Sequence, residues 1–159
     1  MKNLVLGIDA GARKGKRNGG MALISIEDDG RRRILETLST PIAMRKKVTV
    51  VDVSTLTKTI SQWKDKHGSF SVVLEKPFTL KKQGGVDTMW RNYERLCVSV
   101  EMADMTFIEV LPKVWKTALR LTSKKEESLK MYKDVFSSTT DFDGIAEGAL
   151  LAHYYAIGR

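Results

Sequence analysis

The architecture of this chain is organised around one short segment, LVLGID at residues 4–9, in which an unbroken apolar run leads directly to Asp9. The run is short, it contains β-branched residues, and Gly11 follows it closely. Such a run is typical of a strand buried on both faces, because the side chains on either side of the strand must then be apolar. The sequence therefore predicts a central strand that carries a carboxylate at its carboxyl end.

The segments directly after this strand predict an antiparallel meander. Gly19 and Gly20 open a second strand over residues 21–26, and an Asp-Gly turn at residues 29–30 returns the chain in a third strand over 31–38. Asp-Gly between two extended patterns is a strong hairpin signal, because both residues tolerate the left-handed backbone of a tight turn.

The rest of the chain alternates between helical and extended patterns. Residues 41–53 mix basic and β-branched side chains and are predicted to be extended, and Ser54 is expected to cap the helix that follows. The further predicted elements are helix 53–67, strand 71–75, helix 86–104, strand 106–111, and helices 112–121, 124–136 and 143–157. Helical crossovers make the later strands parallel to the first. The fold class is therefore α/β, with one mixed sheet.

Four acidic residues lie where catalysis would use them. Glu75 follows the apolar strand 71–74 in the way that Asp9 follows the first strand. If these strands are parallel neighbours, both carboxylates leave the sheet at its carboxyl edge, where open α/β sheets bind ligands. Asp143 and Glu147 are four residues apart in the last helix and so share one face. Asp141 is an alternative to Asp143.

Converging carboxylates repel one another, and divalent cations relieve that repulsion. Mg²⁺ or Mn²⁺ prefers oxygen ligands, and a pair of such ions supports phosphodiester hydrolysis by activating water and stabilising the leaving oxygen. Each acid also has a structural interpretation. Asp143 could cap its helix, and Glu147 could interact with the helix dipole. Asp9 could form hydrogen bonds with the backbone of its loop. Glu75 could form an ion pair with Lys76 or Arg91.

Composition narrows the classes of function. Among the 159 residues, 27 Lys and Arg exceed 19 Asp and Glu, a balance of +8 that suits a polyanionic partner. A single cysteine, Cys97, excludes a disulfide framework, and His67 and His153 lack metal-ligand spacing. No apolar run approaches the roughly 20 residues that a membrane span needs. We therefore expect a protein that is neither secreted nor membrane-bound.

Candidate contacts to nucleic acid are the basic residues in loops and at helix starts, together with Phe78. The basic candidates are Arg13, Lys14, Lys81, Lys82, Arg91, Lys113, Lys116, Lys124 and Lys125. They would neutralise phosphates, whereas the alternative for each is an ordinary solvated side chain. Phe78 could stack on unpaired bases or pack on the core. Trp90, Tyr93 and Trp115 are expected in the core.

Four segments, in order along the chain, resemble the RuvC-type Holliday-junction resolvases of the ribonuclease H-like superfamily, especially their phage and organellar branch. They are residues 6–9 with 20–23, residues 73–78, the Pro-x-x-Trp-Lys segment within 110–116, and residues 143–152. One departure is the spacing of four between the last two acids, where the better-known bacterial enzymes have three. The resemblance implies a single ribonuclease H-like domain over residues 1–159, with a mixed five-stranded sheet and helices on both faces.

The resemblance also implies an activity. The chain would be an endonuclease that resolves four-way DNA junctions by paired symmetric nicks. Asp9, Glu75, Asp143 and Glu147 would be both the catalytic residues and the ligands of two Mg²⁺ or Mn²⁺ ions. A homodimer, with residues 90–102 at its interface, would act in the cytoplasm of a bacterial or phage-infected host or in another DNA-containing compartment. The alternatives are a nuclease on RNA–DNA hybrids or other structured nucleic acids, and a non-catalytic binding module of the same fold.

Overall fold

The computed structural model describes residues 3–78 and 86–158 of the chain. The strands are β1 Asn3–Asp9, β2 Gly20–Ile26, β3 Arg32–Ser39, β4 Ile42–Arg45, β5 Val48–Val51, β6 Ser71–Glu75 and β7 Ile108–Val110. The helices are α1 Val53–His67, α2 Val86–Met102, α3 Pro112–Ala118, α4 Lys125–Phe136 and α5 Asp143–Ile157. None of the helices in these ranges is long and apolar enough to cross a membrane.

Five strands form the main sheet in the order β3-β2-β1-β6-β7. The strands β1, β2 and β3 are antiparallel neighbours, whereas β6 runs parallel to both β1 and β7. The predicted mixed sheet is thus confirmed, with β1 at its centre. Because β1 and β6 are parallel, Asp9 and Glu75 both lie at the carboxyl edge of the sheet.

Helices cover both faces of this sheet, as expected. On one face, Leu6 and Ile8 of β1 join a core with Leu56 and Leu96 of α1 and α2. On the other face, Val5 joins a core built largely from α3, α4 and α5. Since side chains alternate along a strand, Asp9 points to the same face as Val5, which is the face covered by α5.

Residues 41–53 are largely extended, as predicted, and form a hairpin outside the main sheet. The strands β4 and β5 pair only with each other. The prediction that Ser54 caps α1 is wrong. The helix begins at Val53, and the side chain of Asp52 accepts the cap bond from the Thr55 amide at 3.2 Å.

The helix α5 lies directly on the backbone of β1 and β2, and glycines permit this approach. A Cβ atom on Gly148 would lie 2.9 Å from the carbonyl oxygen of Gly7 and 3.1 Å from that of Gly20. A Cβ on Gly20 would lie 2.6 Å from the amide nitrogen of Ile145. The missing side chains let the helix settle onto the strands. Glu147 is consequently held beside the end of β1.

Candidate active site

Three buried carboxylates converge at the carboxyl edge of the sheet. They belong to Asp9 at the end of β1, Glu75 at the end of β6 and Glu147 in the second turn of α5. One oxygen from each lies within 4.8 Å of the other two. The residues are 7%, 8% and 2% exposed. We call Asp9, Glu75 and Glu147 the acidic cluster.

The remaining predicted acid lies at the margin of this cluster. Asp143 is the first residue of α5, half-buried and one turn before Glu147. It does not cap the helix, because Phe142 occupies the N-cap position. Its charge helps to raise the pKa of Lys125, which places it on the same side of the site. The alternative acid, Asp141, is exposed.

Burial makes the charge of the acidic cluster unfavourable. Desolvation raises the pKa of Asp9 well above its usual range, and the charges of Glu75 and Glu147 raise it further. Desolvation also raises the pKa of Glu75, although hydrogen bonds with Asp9 and Trp115 oppose that shift. Three closely spaced carboxylate oxygens are a donor set suited to Mg²⁺ or Mn²⁺, and a cation would offset the unfavourable charge. The residues present therefore fit a divalent metal site.

Trp115 connects the core to the acidic cluster. Its ring is completely buried, as the sequence predicted. Its indole Nε1–H donates to Oε2 of Glu75 at 2.8 Å, a role that the sequence analysis missed. This bond orients the carboxyl group and favours its charged form. The available signal was the Pro-x-x-Trp-Lys segment, in which an indole donor directly precedes a lysine.

Three donors converge on one oxygen of Glu147. Oε1 lies 2.9 Å from Nζ of Lys116 and 3.1 Å from Nζ of Lys125. It also accepts a hydrogen bond from the buried hydroxyl of Ser128 at 3.2 Å. Burial acts to lower the pKa of Lys125, but the charges of Glu147 and Asp9 outweigh it and raise that pKa. Both lysines were predicted as phosphate contacts, while Ser128 was missed because nothing local distinguishes it from other helical serines.

The other predicted nucleic-acid contacts that the structure describes lie on the surface. Phe78 is 59% exposed, so it does not pack in the core. Five basic candidates are exposed: Arg13, Lys14, Arg91, Lys113 and Lys124. Lys81 and Lys82 lie outside the described residues. Of the remaining aromatic residues, Tyr93 is buried and Trp90 is half-buried against it.

The fold can be compared with known proteins. No protein-family model and no curated protein matches this sequence. Among solved structures, Thermus thermophilus RuvC in complex with a Holliday junction substrate superposes with a TM-score of 0.67 at 16% identity, over 98% of this chain and 96% of that one. Another Thermus thermophilus RuvC structure gives the same TM-score and coverage at 18% identity. The yeast mitochondrial Holliday junction resolvase Ydc2 gives 0.52 at 15% identity, over 95% and 78%. These similarities in shape show that the chain has the fold of the RuvC resolvases.

Proposed function

We propose that this protein is a metal-dependent endonuclease that resolves four-way DNA junctions. The observation that carries the proposal is the acidic cluster, in which three buried carboxylates meet at the carboxyl edge of a RuvC-like sheet. A protein with no catalytic use for them would have little reason to bury three acids together, because their mutual repulsion opposes folding.

The residues of the site divide the work of hydrolysis. Asp9, Glu75 and Glu147 hold the metal ions, with Asp143 as a further ligand at the margin. When bound, a pair of Mg²⁺ or Mn²⁺ ions supplies the activation of water and the stabilisation of the leaving oxygen. Lys116 and Lys125 place ammonium groups beside the cluster, where a backbone phosphate would enter.

Recognition of branched DNA would use the surface around the cluster. Phe78, three residues beyond Glu75, can stack on bases left unpaired at the branch point. The predicted basic contacts, including Lys81 and Lys82 in the adjoining segment, would neutralise phosphates. The Thermus thermophilus neighbour was solved with Holliday junction substrate, which supports junction DNA as the substrate class and a DNA-containing compartment as the location.

Cutting two strands symmetrically requires two active sites, which a two-fold homodimer supplies. Val98 and Met102 on α2 are 42% and 64% exposed, and such apolar side chains are suited to an interface between two copies. This supports α2 as the contact between protomers.

The proposal is tested by replacing Glu75 with Gln and assaying a labelled synthetic four-way junction with Mg²⁺, Mn²⁺ or EDTA. The wild-type protein should make paired, symmetric, metal-dependent nicks near the branch point. Glu75→Gln should lose more activity than the roughly 100-fold typical of losing an outer hydrogen bond, because it removes a metal ligand. Junction binding should remain near that of the wild type, since the substitution does not remove a cation.

The matched control is Asp65→Asn, which neutralises an exposed carboxylate on α1, away from the acidic cluster and from α2. It should cut like the wild type. A linear duplex and an RNA–DNA hybrid of the same sequence complete the assay. Retained cleavage by Glu75→Gln would contradict the assignment of the cluster, and equal cleavage of the hybrid would contradict the choice of substrate.

A further inference from the structure

The hairpin β4–β5 is a separate structural feature that the site described above does not use. Its tip carries three consecutive basic residues, Arg45, Lys46 and Lys47, all exposed. Two exposed apolar residues, Met44 and Val48, flank them. We call residues 42–51 the basic hairpin.

The turn of this hairpin is built from residues that do not favour it. Arg45 pairs with Val48, so Lys46 and Lys47 are the two central residues of the turn. Their φ angles are 48° and 65°, in the left-handed region that favours glycine and asparagine. A turn of this kind is typically made by Asn-Gly. Lysine at both positions adds positive charge, although lysine is unfavourable in this left-handed backbone conformation. This combination indicates that the charge has a function.

The base of the hairpin lies at the same edge of the sheet as the acidic cluster. Ser39 at the end of β3 pairs with Gly20, which in turn pairs with Asp9. The Thr40 amide bonds the Gly19 carbonyl at 2.9 Å, immediately before the hairpin begins. With strands about 4.8 Å apart, Ser39 lies roughly 10 Å from Asp9, and the hairpin begins three residues further along the chain, at Ile42.

Side chains of α2 fix the hairpin in place. The side-chain oxygen of Asn92 accepts from the Val51 amide at 3.0 Å, and its nitrogen donates to the Thr49 carbonyl at 3.3 Å. Arg95 donates to the Val51 carbonyl at 2.7 Å. Val51 itself is completely buried. The base of the hairpin is therefore anchored to α2.

We propose that the basic hairpin binds the phosphate backbone of a duplex arm while the same DNA is held at the acidic cluster. The inference rests on the proposed function. Within residues 3–78 and 86–158, no acidic side chain forms an ion pair with Arg45, Lys46 or Lys47, so their charge is available to a partner. A polyanion complements that charge.

The test is Lys46→Asn/Lys47→Gly, which removes two charges and installs the favoured turn. The matched control is Lys130→Gln/Lys133→Gln, which removes two exposed lysines from α4. Binding of a fluorescent four-way junction and of a linear duplex is measured by anisotropy in Ca²⁺ across a salt series, with melting temperature and mass in solution recorded for each variant.

We expect the hairpin variant to melt higher than the wild type but to bind DNA about tenfold more weakly at 100 mM salt, with the slope of log Kd against log salt reduced by about 1.8. The control should bind like the wild type. Wild-type affinity and slope in the hairpin variant would overturn the proposal. A loss of affinity accompanied by a change in the mass of the protein in solution would also overturn it, because the hairpin would then hold a second copy. Failure of the wild-type protein to bind DNA would overturn it as well.

Cleavage by the wild type, scored in parallel with Mg²⁺, separates the two proposals. If the wild type cuts junctions but the hairpin variant binds DNA like the wild type, only the hairpin proposal is contradicted. If the hairpin variant binds DNA more weakly but the wild type cuts no substrate, only the proposed function is contradicted.

Discussion

The carboxyl group of Asp9 is buried beside Glu75 and Glu147, and burial together with these neighbouring charges raises its pKa well above that of an ordinary aspartate. Between the ordinary value and the raised one, the folded chain binds more protons than the unfolded chain. Stability is therefore lost as the pH rises through this interval. At neutral pH the buried charge of Asp9 therefore lowers the free energy of unfolding, although the proposed chemistry requires this residue.

We accordingly expect Asp9→Asn to stabilise the metal-free protein at pH 7.5. Removing a buried charge should raise the free energy of unfolding by about 1–4 kcal/mol, and the melting temperature by roughly 2–16 °C. The measurement is thermal denaturation in EDTA at pH 7.5 and at pH 4, where the gain should shrink. In saturating Mn²⁺ the wild type should instead have the higher melting temperature, because only the wild type keeps the full set of metal ligands. A less stable Asp9→Asn in EDTA at pH 7.5 would count against this account.

Trp115 combines a packing role with a positioning role, and Trp115→Phe separates the two. Phenylalanine keeps an aromatic ring in the core but cannot donate to Glu75, whose pKa should then rise. We expect a loss of about 1–3 kcal/mol in stability, and a 10–100-fold weaker affinity for Mn²⁺ at pH 7 by titration calorimetry.

The control for this prediction is Trp63→Phe. Trp63 is buried in the core on the opposite face of the sheet, so its replacement should lower stability without changing Mn²⁺ affinity. If both variants bind Mn²⁺ like the wild type, Trp115 only packs.

At the scale of elements, the contact of α5 with β1 and β2 determines where Glu147 lies. Gly148→Ala tests this contact because two effects oppose each other. Helix propensity favours alanine by about 1 kcal/mol, whereas its Cβ would lie 2.9 Å from the Gly7 carbonyl oxygen. Strand backbone cannot yield easily, so we expect a net loss of about 1–3 kcal/mol in chemical denaturation, together with weaker Mn²⁺ binding. A more stable Gly148→Ala would show that the helix is not held this closely.

The matched substitution is Gly158→Ala at the end of the same helix. There a Cβ would lie 3.6 Å from the Tyr154 carbonyl oxygen, an ordinary contact. This variant should keep both stability and Mn²⁺ affinity close to those of the wild type.

At the scale of the whole molecule, a basic chain surrounds an acidic centre. The net charge of +8 is spread over loops and helix starts, while the acidic cluster is buried at one edge of the sheet. Lys116 and Lys125 lie at the boundary, bonded to Glu147. A long-range positive field would attract DNA, and the lysines at the boundary would bring a phosphate to the acids. The distribution of charge thus agrees with the proposed function.

Much of this arrangement follows from local patterns. The apolar run before Asp9 predicts a central strand, and the register of β1 with β6 confirms it. The last helix has the predicted bounds, Asp143–Ile157. The predicted strand over 106–111 is shorter, Ile108–Val110, because only these residues pair with β6. Ser54 does not cap α1, because Asp52, two residues earlier, is an equally good acceptor and occupies the N-cap position.

The sequence by itself determined the class of the fold, the strands that end in Asp9 and Glu75, and the acids of the last helix, since strand and helix periods are local properties of the chain. Only the tertiary structure decided which groups meet. Trp115 reaches Glu75 across 40 positions, and Ser128 reaches Glu147 from a different helix. These side-chain contacts depend on how closely α5 and its neighbouring helices pack on the sheet. That packing depends on glycines whose effect no local pattern reveals, because it is exerted on the backbone of another element.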